Sequence, residues 1–246
     1  MPPVICSEFP KLSTVRAPWL LLAAGPLITL AGISGLAVSG GDLRDPALQA
    51  KAFSHVGLAA IVTLVFGILA VGGEYRHGTI TDTYLSFPAR RAVITAKLAV
   101  YGLVGAAAGL VSSVIAVAAS TAWWAARGAS FQLSTADTWR TLSGGLAANV
   151  AFAVIGVGLG ALIRNLVAAV AAALVWIALV EGIAGQLLGA GLARWLPFYA
   201  SESLDRASLT TSTGLLPQWG GALVLLGYGA LFAVAGLIIT LHRDVT

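Results

Sequence analysis

The chain has 246 residues, 58% of them hydrophobic and only 10% charged, with a mean hydropathy of +0.91 and a formal net charge of +4. A soluble domain carries roughly 25% charged residues, so an ordinary soluble protein is excluded, and the small, dispersed excess of Lys and Arg excludes the basic face of a nucleic-acid binder. The single cysteine, Cys6, excludes an internal disulfide and a cysteine-built metal cluster.

A hydrocarbon core calls for about 20 apolar residues per helix. Six runs meet that length, at roughly 18–39, 54–72, 98–122, 142–163, 166–189 and 219–241. Backbone polar groups in lipid must be paired within the segment, so these runs are helices, and the alternation of a membrane barrel is absent. The expected fold is an all-α integral membrane protein, a single transmembrane domain over 1–246 with six transmembrane helices.

The start, MPPVICSEFPKLSTVRAPW, lacks the basic opening and cleavage site of a signal peptide. Phe9, Leu12 and Val15, three apart among polar residues, suit an N-terminal interfacial helix within 1–17, with an unstructured tail as the alternative. After the first run, GGDLRDPALQAK reads as turn material, with Asp45-Pro46 as a breaker.

The next segment is a polar island, Gly73–Lys97, GEYRHGTITDTYLSFPARRAVITAK, between two apolar runs that hold almost no charge. The third helix is expected to begin near Arg91, with Lys97 snorkelling toward lipid head groups. Gly105 and Gly109 in the third run, and Gly156 and Gly160 in the fourth, are small residues at spacing four. They permit close helix approach, within one subunit or between two. Only Arg164 and Asn165 separate the fourth run from the fifth, too short a loop to dock anything. The segment 190–218 is too polar to span, and its partly apolar start suits an interfacial or re-entrant helix pair.

Six spans place both ends on one side. That side collects Lys11, Arg16, Arg76, Arg90, Arg91, Lys97, Arg164 and Arg243, against Arg44, Lys51, Arg127, Arg140, Arg194 and Arg206 on the other. The short loop after the second run holds four of the eight, so the positive-inside rule puts both termini and the island in the cytosol.

Ionisable residues are scarce within the runs. Glu181 lies about 24 Å along the fifth helix from Asn165, and either anchors that helix at the far interface or takes part in gating or substrate contact. Asn149 is an uncharged polar residue inside the fourth run. Ion-coupled carriers place ionisable arrays or broken helices near the midplane, and no such array is visible. Gly32-Ile33-Ser34-Gly35 matches the short pattern around the serine of rhomboid intramembrane proteases. Here, however, the serine falls on the first span, and no histidine lies inside the sixth. There is no P-loop and no H-E-x-x-H spacing. Neither catalytic residues nor a metal site is expected, and the chain reads as a non-enzyme.

Three pieces together carry a family likeness: SEFPKLSTVRAPWLLL before the first span, GEYRHGTI followed by FPARRAVITAK after the second, and RWLPF after the fifth with a sixth span ending in HRDVT. In this order they resemble the membrane-spanning permease subunits of type-2 ATP-binding cassette exporters, especially short actinobacterial ones. The resemblance implies a multi-pass protein of the bacterial cell membrane that pairs with a second copy of itself or a homologous permease. Two copies of a cytosolic ATPase would dock beneath, with ATP and Mg held on that partner and no cofactor on this chain. It implies that the N-terminal segment is an interfacial connecting helix, that part of 73–97 is a coupling helix, and that 190–218 forms an external re-entrant pair. An acid on the fifth span, where Glu181 stands, is shared by many relatives.

Within the island, Glu74 and Arg76 are expected to fix the loop, and Thr79 to Leu85 to form the contact surface. The coupling set is Glu74, Tyr75, Arg76, His77, Gly78, Thr79, Asp82, Thr83 and Leu85. Arg90, Arg91 and Lys97 are expected to anchor to lipid or simply to set topology. Glu181 and Asn149 are the gating or substrate candidates. The expected cargo is a drug, a lipid or another hydrophobic or amphipathic molecule. The alternatives are a stand-alone channel or ion-coupled carrier, and a membrane scaffold that transports nothing.

Overall fold

The computed structural model describes residues 4–8, 10, 16–39, 41–131, 133, 136–187, 189–205 and 214–242. Among these, the regular structure is helical. Ten helices follow a helical stretch at 4–8: α1 (Arg16–Val38), α2 (Pro46–Leu58), α3 (Ala60–His77), α4 (Ile80–Ser86), α5 (Arg90–Ala126), α6 (Ala136–Ile163), α7 (Leu166–Leu187), α8 (Ala190–Ala193), α9 (Pro197–Asp205) and α10 (Gln218–His242). Six spans among the described residues are long and apolar enough to cross a membrane: Trp19–Val38, Ala47–His77, Arg90–Ala126, Ala136–Ile163, Leu166–Leu187 and Gln218–Thr240. The chain is thus an all-helical, multi-pass membrane protein by length and composition.

The second span is longer than its apolar run. The Asp45-Pro46 pair, expected to break the chain, starts a helix instead. Asp45 stands at the N-cap with its carboxylate accepting the Ala47 amide at 2.9 Å, and Pro46 takes a first-turn position where its missing N–H costs nothing. The span then breaks between Leu58 and Ala60. In the turn before the break, the His55 carbonyl accepts from Thr29 Oγ1 at 3.3 Å and the Val56 carbonyl from Asn149 Nδ2 at 3.0 Å. Side chains of α1 and α6 therefore supply hydrogen bonds to an interrupted helix, the condition for such an interruption inside a hydrocarbon layer.

Helix α6 is the centre of the bundle, in contact with α2, α3, α5, α7, α9 and α10. The closest approach is to α3. A Cβ on Gly67 would collide with the Ala153 carbonyl, and a Cβ on Gly156 with that of Leu64. The two helices therefore meet backbone to backbone, the geometry small residues allow. Gly105 and Gly109 of α5 pack in the same way against Asn149 and Leu146 of α6. The small residues at spacing four thus serve packing within the chain. The outer helices differ. The second span is 72% buried, but the fifth and sixth only 17% each. Their Leu, Val and Trp side chains, such as Leu174, Leu226 and Val234, face outward as a lipid-facing surface would.

Gly67→Ala and Gly156→Ala are each expected to destabilise the detergent-solubilised protein by about 1–3 kcal/mol, the usual range for overpacking. Gly227→Ala, where added volume meets nothing within 4 Å, should leave the melting temperature unchanged or slightly raised. Equal melting of all three variants would contradict the backbone contact.

Candidate functional site

The island is held by a buried ionic knot. Lys97 is the eighth residue of α5, about two turns inside the membrane-length stretch, and is fully buried. Its ammonium donates to Glu8 Oε2 at 2.8 Å, to Glu74 Oε1 at 2.9 Å and to the Ala70 carbonyl at 3.0 Å. An ammonium has three N–H donors, and all three are used. Glu74 lies in the last full turn of α3, and Glu8 comes from the stretch at 4–8. That stretch is seated by Val4 against Val93 and Ala96, and by Ile5 beside Ala70 and Val71.

This geometry corrects the expectation for Lys97: it reaches no lipid head group. Its amine turns inward because two carboxyl groups and a carbonyl converge there, and a charge at that depth is stable only when paired. Arg76, expected to fix the loop, is exposed, so that work falls to Lys97, Arg90 and Arg164. Arg90, expected to anchor to lipid or set topology, makes contacts within the chain. Its guanidinium donates to the Thr240 carbonyl at 3.2 Å and lies 5.3 Å from the centre of the Tyr84 ring. Burial pushes the Tyr84 phenol well above its usual pKa. Arg164 occupies a left-handed backbone position with φ 57°, strained for a residue with a side chain. There it donates to the Ile239 carbonyl at 2.9 Å and covers the Tyr75 ring at 5.5 Å. Asn165, next along, caps α7 by accepting the Ala168 amide at 3.0 Å.

On this base stands the short helix α4. Gly78, at φ 71°, ends α3 in the left-handed conformation favoured at helix ends. Ile80 and Thr83 face inward, and Thr83 Oγ1 donates to the Thr79 carbonyl at 3.1 Å. The rest of the expected coupling set divides accordingly. Glu74 and Thr83 are buried and Tyr75 is half-buried, while Arg76, His77, Gly78, Thr79, Asp82 and Leu85 are exposed, as is Arg91. Leu85 is 76% exposed. Of the residues that hold the site, Glu8 and Arg164 were not singled out from the sequence. The available signal was an acid in an otherwise apolar turn and a lone arginine in a two-residue loop. The interfacial segment expected at 1–17 falls in part on residues 1–3, 9 and 11–15, outside the described residues.

The other two candidates lie elsewhere. Asn149 is fully buried and clamps helices together: its side-chain NH2 donates to the Val56 and Gly145 carbonyls, and its backbone carbonyl accepts from Thr63 Oγ1 at 3.0 Å. Glu181 ends a π-helical turn, Trp176–Glu181, that widens α7. Its Oε1 accepts from Trp176 Nε1 at 3.1 Å, and its Oε2 from the Phe198 and Tyr199 amides at 2.8 and 3.3 Å. It therefore caps α9 from another helix, placing a carboxylate at the positive end of that helix's dipole. Ser34, in the GISG sequence, accepts from Trp123 Nε1 at 3.0 Å, a packing role. No known family model matches the chain, and no curated protein is found to be similar to it.

Lys97→Met leaves two buried carboxyl groups facing one another and should cost about 3–5 kcal/mol. Replacing both acids as well, in Lys97→Met/Glu8→Gln/Glu74→Gln, should recover a large part of that loss. The measurement is thermal unfolding in one detergent. A single variant melting like the parent would show that the knot holds nothing.

Proposed function

We propose that this chain is the permease subunit of an ATP-driven exporter of the type-2 ATP-binding cassette class. In this reading it is a multi-pass protein of a bacterial cell membrane with both termini cytosolic, and two permease subunits pair to form the pathway. Two cytosolic ATPase subunits carry ATP and Mg and perform the hydrolysis, so this chain is a transport subunit and not itself an enzyme. The stretch at 4–8 belongs to the interfacial connecting segment, α4 is the coupling helix, and α8 with α9 forms the external re-entrant pair. The cargo is a drug, a lipid or another hydrophobic or amphipathic molecule.

The observation that carries this reading is the pairing of an exposed α4 with a stiff base. Leu85, Asp82 and Thr81 stand outward on a short helix. Beneath them Lys97, Arg90 and Arg164 bind the N-terminal stretch, α3, α5 and the end of α10 into one unit. A push on α4 would reach several spans at once, which suits rigid-body opening by hinge or shear. The chain's lack of a P-loop agrees with energy entering through a partner.

One observation favours the second reading, a carrier acting alone. The second span is interrupted at Ala59 alone, which keeps right-handed helical dihedrals, a mild form of the broken helices of secondary transporters. The two readings separate experimentally. Leu85→Glu combined with Asp82→Lys changes only exposed side chains, so the melting temperature should hold. ATPase co-purification and ATP-dependent transport in proteoliposomes should fall at least severalfold. Transport that proceeds without ATP or a partner, unaffected by that double change, would favour the lone carrier.

A further inference from the structure

A cavity of about 250 Å³ lies between the spans, in the half of the bundle away from Lys97. Leu64 of α3, Phe152 of α6, Trp176 and Glu181 of α7, and Tyr228 and Phe232 of α10 contribute to its wall. The lining residues are hydrocarbon and aromatic apart from three polar side-chain groups, the Glu181 carboxyl, the Tyr228 hydroxyl and the Trp176 indole N–H. A carboxylate offers about four acceptor positions. Three are filled, two on Oε2 by the Phe198 and Tyr199 amides and one on Oε1 by Trp176. The position left over is on Oε1, the oxygen bonded to an indole that itself lines the cavity.

The chamber therefore combines one incompletely bonded carboxylate with four aromatic side chains and an apolar floor. A buried carboxylate is best stabilised by an opposite charge at short range, and aromatic faces attract a cation once it is desolvated. An anionic amphiphile would meet repulsion, and a neutral one could donate a hydrogen bond but would bring no opposite charge. The volume is below the roughly 300 Å³ at which drug-sized pockets begin, so the guest is fragment-sized. We infer that this cavity binds a small hydrophobic amine, its ammonium at Glu181 Oε1 and its apolar body between Phe152, Ile155 and Phe232. The role of that amine as cargo rests on the exporter reading; the binding itself does not.

The test uses the purified full chain in detergent, with 4-phenylbutylamine as the probe. Its neutral isostere 4-phenylbutanol and the anion 4-phenylbutyrate serve as comparisons, each measured by calorimetric titration against protein-free micelles. The amine should bind about tenfold more tightly than either comparison, the worth of one hydrogen bond to a charged group. Glu181→Gln keeps one acceptor oxygen to cap α9 but sets its NH2 against the Trp176 indole N–H, so it should fold with a lowered melting temperature and lose about tenfold in amine affinity while its affinity for the alcohol changes far less. Phe232→Trp fills the chamber with Glu181 intact and should weaken the amine and the alcohol together. Amine affinity unchanged in both variants, or no greater than that of the alcohol, would overturn the inference. Amine binding in a protein that never exports it would keep the site and remove the exporter role. ATP-driven transport of other cargo with no amine binding would overturn the site alone.

Discussion

One ammonium group organises the island end of this molecule. The three N–H bonds of Lys97 reach three separate pieces of chain: Glu8 near the start, Glu74 at the end of α3 and the Ala70 carbonyl one turn earlier. A charge sealed from water is tolerated only where such partners meet it, so the position of each piece depends on the others. The N-terminal stretch cannot lift away without stripping a buried lysine of a partner, and α3 cannot slide past α5 without doing the same. Arg90 and Arg164 extend the unit to α10 through the Thr240 and Ile239 carbonyls, each with a tyrosine ring beneath its guanidinium.

The middle of the bundle is held by a different force. Where α3 crosses α6, glycines bring the backbones together, and the gain is dispersion between closely packed atoms rather than charge pairing. Above that crossing the second span is interrupted, and Thr29 and Asn149 supply hydrogen bonds to the carbonyls beside the break. At the far end Glu181 ties α7 to α9 through backbone amides. The consequence is a stiff inner wall of the second and fourth spans, flanked by spans one, five and six that bury far less of themselves. Relative motion, if force arrives at α4, would be easiest between that wall and its flanks.

Much of this architecture was legible in the sequence, because the requirement for apolar length is local and strong. The six runs correspond to the six spans, and the third helix begins at Arg90, beside the expected start. What was not legible depends on partners distant along the chain. Lys97 at a helix's second turn has the same local appearance whether it snorkels or turns inward; only Glu8, 89 residues away, and Glu74 decide it. Asp45-Pro46 carries two meanings, breaker or helix start, and the Ala47 amide that completes the cap selects the second. Glu181 stood out as a rare acid in an apolar helix, but its use as a cap for α9 needed the π-turn and the fold of 197–199 to become visible. Arg76 was overrated because charge in a loop is conspicuous, whereas Arg164 in a two-residue turn is not.

The exporter proposal adds a partner to this frame, but its physical premise can be examined in the chain alone: the knot at Lys97 makes the N-terminal stretch, the end of α3 and α4 move as one body. Hydrogen–deuterium exchange of the parent and Lys97→Met in the same detergent tests this most directly. The account predicts faster exchange in the variant at residues 4–8 and 74–86 together, with the α6 core and α9 unchanged. Exchange that stays at parental rates in both segments, or rises in one while the other is unmoved, would contradict it.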